Sequence, residues 1–534
     1  MKKELFFLPL FAALALTGCS TDEDGLIENN GNGDKEYGYV AVNIVQPKSM
    51  GSRAVSDGFE YGSEDENEAQ SGLFFIFDTD GNKVGEAQEL VLSGNGTGNA
   101  PEVERIYKAV LVIEGEKNKP DAAKQIVCVL NAPAGLGSET TLSGLEGKIA
   151  DYATDYTTKG KFIMTNSVYK NGSDKVLGAI IDDTKIVNSA EAALNNPVDI
   201  YVERVVAKVR TSANAFTNTQ GAKPTIDGVE TPLTINVTGI EIANIAKTSY
   251  LIKNITDIDY TWAWDVTNKR SYWETVPANL EYNNKSYKSI VTDSKPAEGD
   301  FDINNVSFTE YIQPNTTGQK TSILVTAELL KDGSPIDFIY LRGGYFAPDN
   351  ALALIATYLA NNGYWKATGE NSYSQLAAGD FVWKNNEDFA DGSKIAWLER
   401  YEVVAQIKDG TTDLYKKEGE NYVPATVAEI NTLLAGTEES HPYVAQYYKD
   451  GKCYYFVNID QSPIAGADDH TYDGIIRNHI YDLSLNSIKG IGTPVFDPED
   501  VIIPEKPEDE TLWYLSARIN VLAWKLVQQT IDFE

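Results

Sequence analysis

The sequence predicts an all-β chain of two β-sandwich domains with a few short helices, and three observations lead there. At 534 residues the chain is too long for one hydrophobic core, so it should divide into domains. Tyrosine is frequent, with 30 residues, and together with Thr, Val and Ile it favours strands over helices. Short apolar runs also alternate with turn chemistry: LFFIF precedes DTDGNK, SVYK precedes NGSDK, AELL precedes KDGSP, VAQI precedes KDGTT, and AQYY precedes KDGKCYYFV. Asp-Gly and Asn-Gly turns between β-rich segments are hairpin signals, and their density argues for sandwiches. With 42% apolar and 23% charged residues, the chain can fill its cores and is not disordered as a whole.

Residues 1–18 read as a signal peptide. Lys2 and Lys3 form a basic start, Leu5 to Leu16 an apolar stretch too short to span a bilayer, and LTGC follows, Leu16 to Cys19. Small residues before a cysteine match a bacterial lipobox, in which Cys19 becomes the lipidated first residue; the alternative is an ordinary signal peptide with a chance cysteine. The acidic start STDEDG and the polar tether GLIENNGNGDKE then lead into YGYVAVNIVQ, Tyr37 to Gln46. This reads as a strand with Val40, Val42 and Ile44 on one face and Tyr39, Ala41, Asn43 and Val45 on the other. A long acidic, turn-rich stretch follows, containing Arg53 before Ala54. A strand tied to its domain by a protease-accessible loop is an odd arrangement for a purely structural element.

Helix signals are few. Asp349 or Asn350 is placed to cap ALALIATYLANNG, ended by Gly363, and Thr426 with Glu429 forms a capping box before VAEINTLLAG, ended by Gly436. A third, weaker helix is expected at SAEAALNN. The domain boundary is expected near residue 250, giving a sandwich over 54–250 and another over 251–500. Residues 501–534 then form a proline-punctuated linker and an alternating apolar segment. In that segment Ile519, Val521 and Ala523 share one face, Leu522, Trp524 and Leu526 the other, and Val527 and Ile531 continue the run. Such a terminal strand is either the last strand of its domain or a strand offered to a partner.

Catalytic chemistry is not identifiable. The net charge of −33 argues against nucleic acid or anionic lipid as partners. The three histidines, His441, His470 and His479, lie in no H-E-x-x-H spacing, and neither G-x-S-x-G nor a phosphate-binding loop occurs. Asp468, Asp469, His470 and Asp473 resemble a divalent-ion cluster, but polar loops before strands often look this way. Asp78, Asp80 and Asn82 imitate the start of a calcium loop, with Glu89 twelfth from Asp78, but D-G chemistry between apolar runs is read as a hairpin turn. Carboxylates are plentiful, but nothing singles out an acid/base pair. Trp262, Trp264 and Trp273 could stack sugars, though in a β-protein they read as core or sheet-edge residues. No metal or cofactor is assigned. With Cys19 consumed by processing, Cys128 and Cys453 are expected as two buried free thiols.

IVCVLNAP, KFIMTNSVY, YVERVVAKV, RSYW and above all RNHIYDLSLNSIKGIGTPVFDPED, taken together and in this order, resemble the major shaft fimbrillins of the Bacteroidales. The closest likeness is to the Mfa-type, minor-fimbria shaft subunit of the type V pilus. The resemblance implies two transthyretin-like sandwiches and export as a lipoprotein to the outer membrane. It also implies cleavage after arginine by an arginine-specific surface protease, and a groove left by the lost first strand that a neighbour's C-terminal strand fills. Carried onto this chain, Cys19 is lipidated within a propeptide of residues 19–53, and the cut falls between Arg53 and Ala54. The strand displaced contains Val40, Val42 and Ile44, and the donor runs from Ala517 to Phe533, with Ile519, Val521, Leu522, Trp524 and Leu526. The implied partners are copies of the chain itself, the protease, accessory tip and anchor subunits, and the membrane through the precursor's lipid. The competing readings are a surface glycan-binding lipoprotein and a tip or anchor fimbrillin. A cleavage site together with a usable donor strand favours the shaft subunit.

Overall fold

The computed structural model describes residues 37–47, 62–92, 96–97, 103–114, 123–151, 161–211, 218–256, 264–265, 270–271, 273–278, 280–294, 308–316, 320–390, 392–459, 474–504, 514–523 and 526–528. As expected, the chain is all-β with a few short helices.

The run LFFIF lies in the strand Ser71–Phe77, which is buried at six successive positions. A strand apolar on both faces is covered on both sides. It sits in a nine-stranded sheet in the order Gln88–Val91, Ser71–Phe77, Gln125–Leu130, Met164–Asn166, Val198–Arg204, Tyr37–Pro47, Val103–Glu114 and Gly96–Thr97, with Ala179–Ile180 beside Gln125–Leu130. Phe75 and Val129 from one half of this sheet share a single core with Val40 and Leu111 from the other.

The second core lies between two sheets. One runs Phe308–Ile312, Ala207–Thr211, His479–Lys489, Tyr514–Ala523, Leu526–Gln528; the other runs Thr234–Ala243, Ser322–Lys331, Lys452–Asn458, Thr493–Pro494. Val209, Tyr481, Leu483 and Leu485 meet Ile235, Ile323, Val325 and Cys453 across it. A third core was not expected. The sheet containing Phe338–Leu341, Val444–Tyr448, Val403–Ile407 and Phe381–Lys384 packs under two helices, Pro348–Asn361 and Val427–Ala435, burying Ile355, Leu359, Ile430 and Leu434.

Local signals explain most element ends. Thr426 and Glu429 make the reciprocal capping box, and Gly436, at φ 75°, ends that helix. The longer helix starts at Pro348, whose missing N–H is free at a first turn, rather than at the Asp349 or Asn350 cap expected. SAEAALNN forms the helix Ala190–Leu194, capped by Ser189. At KDGSP, Asp332 and Gly333 both have positive φ (51° and 81°), the geometry of a two-residue hairpin turn. Cys128 and Cys453 are both free and buried, and burial pushes both thiols up, away from the reactive thiolate.

Strand pairing puts the crossover between the first two cores elsewhere than residue 250. Ala207–Thr211 already pairs with His479–Lys489 and Phe308–Ile312 of the second sandwich. The chain then returns: Thr248–Tyr250 pairs with Ile149–Asp151, and Leu251, Ile252 and Ile255 fill the first core. The sequence shows where strands lie, but not that the path crosses between the sandwiches more than once.

Candidate assembly site

The strand Tyr37–Pro47 lies in the interior of the first sheet. On one side it runs antiparallel to Val103–Glu114, from Tyr37 opposite Glu114 to Pro47 opposite Val103. On the other it runs parallel to Val198–Arg204, with Val42 opposite Val198 and Ile44 opposite Ile200. Where that neighbour ends, Val187 continues the ladder, exchanging N–H···O bonds with Tyr39 at 2.7 and 3.0 Å. Asn43 Nδ2 donates to Asp199 Oδ1 at 2.9 Å, a polar tie on the face opposite the core valines. Val40, Ala41, Val42 and Ile44 are all 0% exposed. The alternation expected for Val40, Val42 and Ile44 therefore holds, but Ala41 on the other face is covered as well. Gly38 permits a close approach, since a Cβ there would stand 2.9 Å from the Ile186 side chain.

Removing this strand would part Val103–Glu114 from Val198–Arg204 and uncover two ladders together with the apolar floor of the first core. Unpaired strand edges over buried apolar surface form a receptor for another strand.

The C-terminal strand Tyr514–Ala523 occupies a different setting. It runs antiparallel to His479–Lys489 of its own chain, with Ile519 opposite Leu483, Val521 opposite Tyr481 and Leu522 opposite Ile480. A shift of register falls between Leu485 and Ser487. The chain then turns back so that Leu526 stands opposite Leu522 in the short strand Leu526–Gln528. In this structure the segment is the last strand of its own domain, one of the two arrangements its pattern allows. Cys19, Arg53, Ala54, Trp524 and the cluster Asp468, Asp469, His470 and Asp473 lie outside the described residues. Trp273 is in the core, as its type led one to expect.

Sequence reasoning missed two buried charge clusters at the junction of the first two sandwiches. In the first, Glu66 accepts from Lys208 Nζ at 2.8 Å, from the Tyr311 hydroxyl at 2.6 Å and from the Ser63 N–H at 2.5 Å. Burial alone would push the Glu66 carboxyl up. The hydrogen bonds from Lys208 and Tyr311 and the Lys208 charge outweigh it and bring the carboxyl down to about 2. Arg204 adds bonds to the Glu66 carbonyl at 2.9 Å and to the Asn67 and Asn478 side chains. In the second cluster, Arg477 grips Glu274 through Nε (2.7 Å) and Nη2 and donates to the carbonyls of Leu251 and Tyr250 at 3.1 and 2.8 Å. Beside this pair, Lys253 Nζ stands 2.7 Å from Glu203 Oε1. The only advance trace of these sites was the block RNHIYD, in which a charged residue precedes a strand; its long-range partners have no local signal.

Among the described residues no group of three or more His, Cys, Asp or Glu side chains has metal-site geometry. At DTDGNK the Asp78 carboxylate instead accepts the backbone N–H groups of Asp80 and Asn82 at 2.9 and 2.8 Å, closing the turn. Among the described residues no helix is long and apolar enough to cross a membrane.

Residues 446–530 match the family described as major fimbrial subunit protein type IV, Fimbrillin, C-terminal. The match takes in both Lys452–Asn458 and His479–Lys489 and runs through the terminal strands. No curated protein matches the chain. Among solved structures, a candidate cell adhesion protein of Parabacteroides distasonis is 12% identical, covering 92% of this chain and 98% of its own, with a TM-score of 0.42. A second, from Bacteroides eggerthii, is 11% identical over 94% of this chain and 100% of its own, with a TM-score of 0.36. The tip fimbrial protein Mfa3 of Porphyromonas gingivalis, truncated at its C-terminus, is 11% identical over 92% and 100%, with a TM-score of 0.31.

Proposed function

We propose that the chain is a shaft subunit of a surface fimbria of the Mfa type, polymerising by strand exchange after removal of residues 19–53. One observation carries the reading: the strand upstream of Arg53 lies in the interior of the first sheet, bonded on both sides. Cleavage between Arg53 and Ala54 frees that strand to leave, and the segment beginning near Ala517 of another copy takes its place. Seating three side chains the size of Val40, Val42 and Ile44 is worth ~1.5–3 kcal/mol each, so ~5–9 kcal/mol before ordering costs. Ladder hydrogen bonds add a modest net term.

Before cleavage the resident strand, held on the same chain, outcompetes any strand in solution because its local concentration is high. Cleavage is therefore the switch, and the same cut releases the lipid anchor, since Cys19 lies on the discarded side. It removes three basic and six acidic residues, a change of only three beside the net charge of −33 of the whole sequence, so electrostatics do not drive the step. The partners are further copies of the chain, an arginine-specific surface protease and accessory tip and anchor subunits. The precursor is held at the outer membrane, and the product stands in the fimbrium.

The test is to treat the chain from Ser20 onward briefly with an arginine-specific protease, sequence the new terminus and examine negatively stained samples. A control ends before Tyr514. A terminus at Ala54 with filaments only from the full-length sample is the expected result. Clean cleavage at Ala54 that leaves monomers would overturn the shaft reading and favour a capping subunit or a glycan-binding lipoprotein.

A further inference from the structure

The pair Lys253 and Glu203 is more secluded than a tether between two sandwiches requires. Both side chains are 1% exposed. Leu251, Ile252, Ile255 and Val205, each at most 1% exposed, belong to the core in which they lie. Lys253 Nζ is fixed from one side by a hydrogen bond to the Ser271 carbonyl at 2.9 Å and stands 2.7 Å from Glu203 Oε1. That oxygen finds no well-aligned hydrogen-bond donor, so the contact is a close approach rather than a directed bond. The adjoining Glu274 is already neutralised by the two-pronged grip of Arg477. It leaves Lys253 and Glu203 to balance each other.

We propose that Lys253 and Glu203 condense to an intramolecular amide cross-link. Burial pushes the Glu203 carboxyl up and the Lys253 ammonium down, which makes the neutral pair, formed when a proton passes from ammonium to carboxylate, more accessible as the reacting form. The neutral amine then directs its lone pair at Cδ of Glu203. A C–N bond forms, the C–O bond to the protonated oxygen breaks, and the departing hydroxyl takes one amine proton and leaves as water. Nothing is oxidised or reduced, and no further reactant is needed. Two reacting groups held in contact have a high effective concentration, and a site without bulk water disfavours the reverse hydrolysis.

The bond would join the strand Val198–Arg204 to the segment after Thr248–Tyr250. The chain between them makes its first excursion into the second sandwich through Ala207–Thr211 and Thr234–Ala243. The cross-link would thus close that excursion at its base. This proposal goes beyond the reading of the chain as a shaft subunit and does not depend on it.

The test is the intact mass of the chain from Ser20 onward, denatured, beside the variant Lys253→Met. The expected mass falls short of the sequence by one water, the deficit is absent in the variant, and digestion of the parent chain yields one branched peptide joining the segments of Glu203 and Lys253. A parent mass equal to the sequence overturns the proposal, as does a deficit that persists in Lys253→Met. Should that variant fail to fold, the branched peptide decides alone: its absence from the parent digest refutes the cross-link.

Discussion

The strands Tyr37–Pro47 and Tyr514–Ala523 are of similar length and similarly apolar, yet they sit differently in their sheets. Tyr37–Pro47 is paired with Val103–Glu114 along its whole length and with Val198–Arg204 from Val42 to Val45, and four of its side chains have no exposure. Tyr514–Ala523 has one long partner, His479–Lys489, and on its other flank only the three pairs to Leu526–Gln528. The strand upstream of the proposed cut at Arg53 is thus the one whose loss would open a core, and the strand proposed as donor lies toward the rim of its sheet. An element that must fill a hole should come from a place that leaves none behind.

The comparison breaks most sharply at Val42. Val42→Asp places a charge at a position with no exposure and no partner, and should cost about 3–5 kcal/mol; loss of a cooperative melt would be the extreme form of the same result. Ile44→Ala should cost about 2–5 kcal/mol through lost burial and a cavity, read as a lowered denaturant midpoint. By contrast, ending the chain before Tyr514 should leave both sandwiches folded, with a cooperative melt lowered by a few degrees. There, ladder bonds worth about 1 kcal/mol each are largely offset by the ordering cost of about 1–2 kcal/mol per residue. If truncation unfolds the chain as Val42→Asp does, the contrast between the two strands fails.

Two titrations sharpen the comparison. Glu66, beside the entry to the first sandwich, is depressed from 4.5 to about 2. Its contribution is complete above 4.5 and disappears as the pH falls through about 2; at up to about 3 kcal/mol it should vanish from the acid arm of the unfolding curve in Glu66→Gln. Asp500, where the C-terminal linker departs, has the opposite sign. Burial first, then the charges of Asp497 and Glu387, raise it to about 6. The folded state therefore favours the protonated acid, and the stability this gives, present below 3.8, is lost as the pH rises through about 6. Asp500→Asn should relieve that loss above pH 6, by no more than about 1 kcal/mol after solvent screening, which is the smallest effect of the set.

How much of this was legible depended on the range of the interaction. The Thr426–Glu429 box, the Asp332–Gly333 turn and the alternation of Val40, Val42 and Ile44 act over two to four residues, and the sequence carries them openly. Burial of both free cysteines followed from their apolar strand contexts. The parallel pairing of Val42 with Val198 has no such local mark, nor has the grip of Arg477 on Glu274. The third core was hidden for another reason: its helices were readable, but the sheet that receives them is assembled from segments between 338 and 448 that look like ordinary hairpins. Nothing in the pattern around residue 250 distinguishes a boundary from a return crossing, and the return to Leu251 and Ile252 came from the fold alone.

That return crossing also fixes a timetable. Asn43 and its partner Asp199 are 156 positions apart, and the first core is not complete until Leu251, Ile252 and Ile255 have joined it. Synthesis from the N-terminus therefore delivers the strand Tyr37–Pro47 early and the last pieces of its housing much later. Contacts so distant form slowly, because the long loop must close before any of them is rewarded. A pulse of synthesis should accordingly leave Tyr37–Pro47 open to proteolysis until residue 255 has been made.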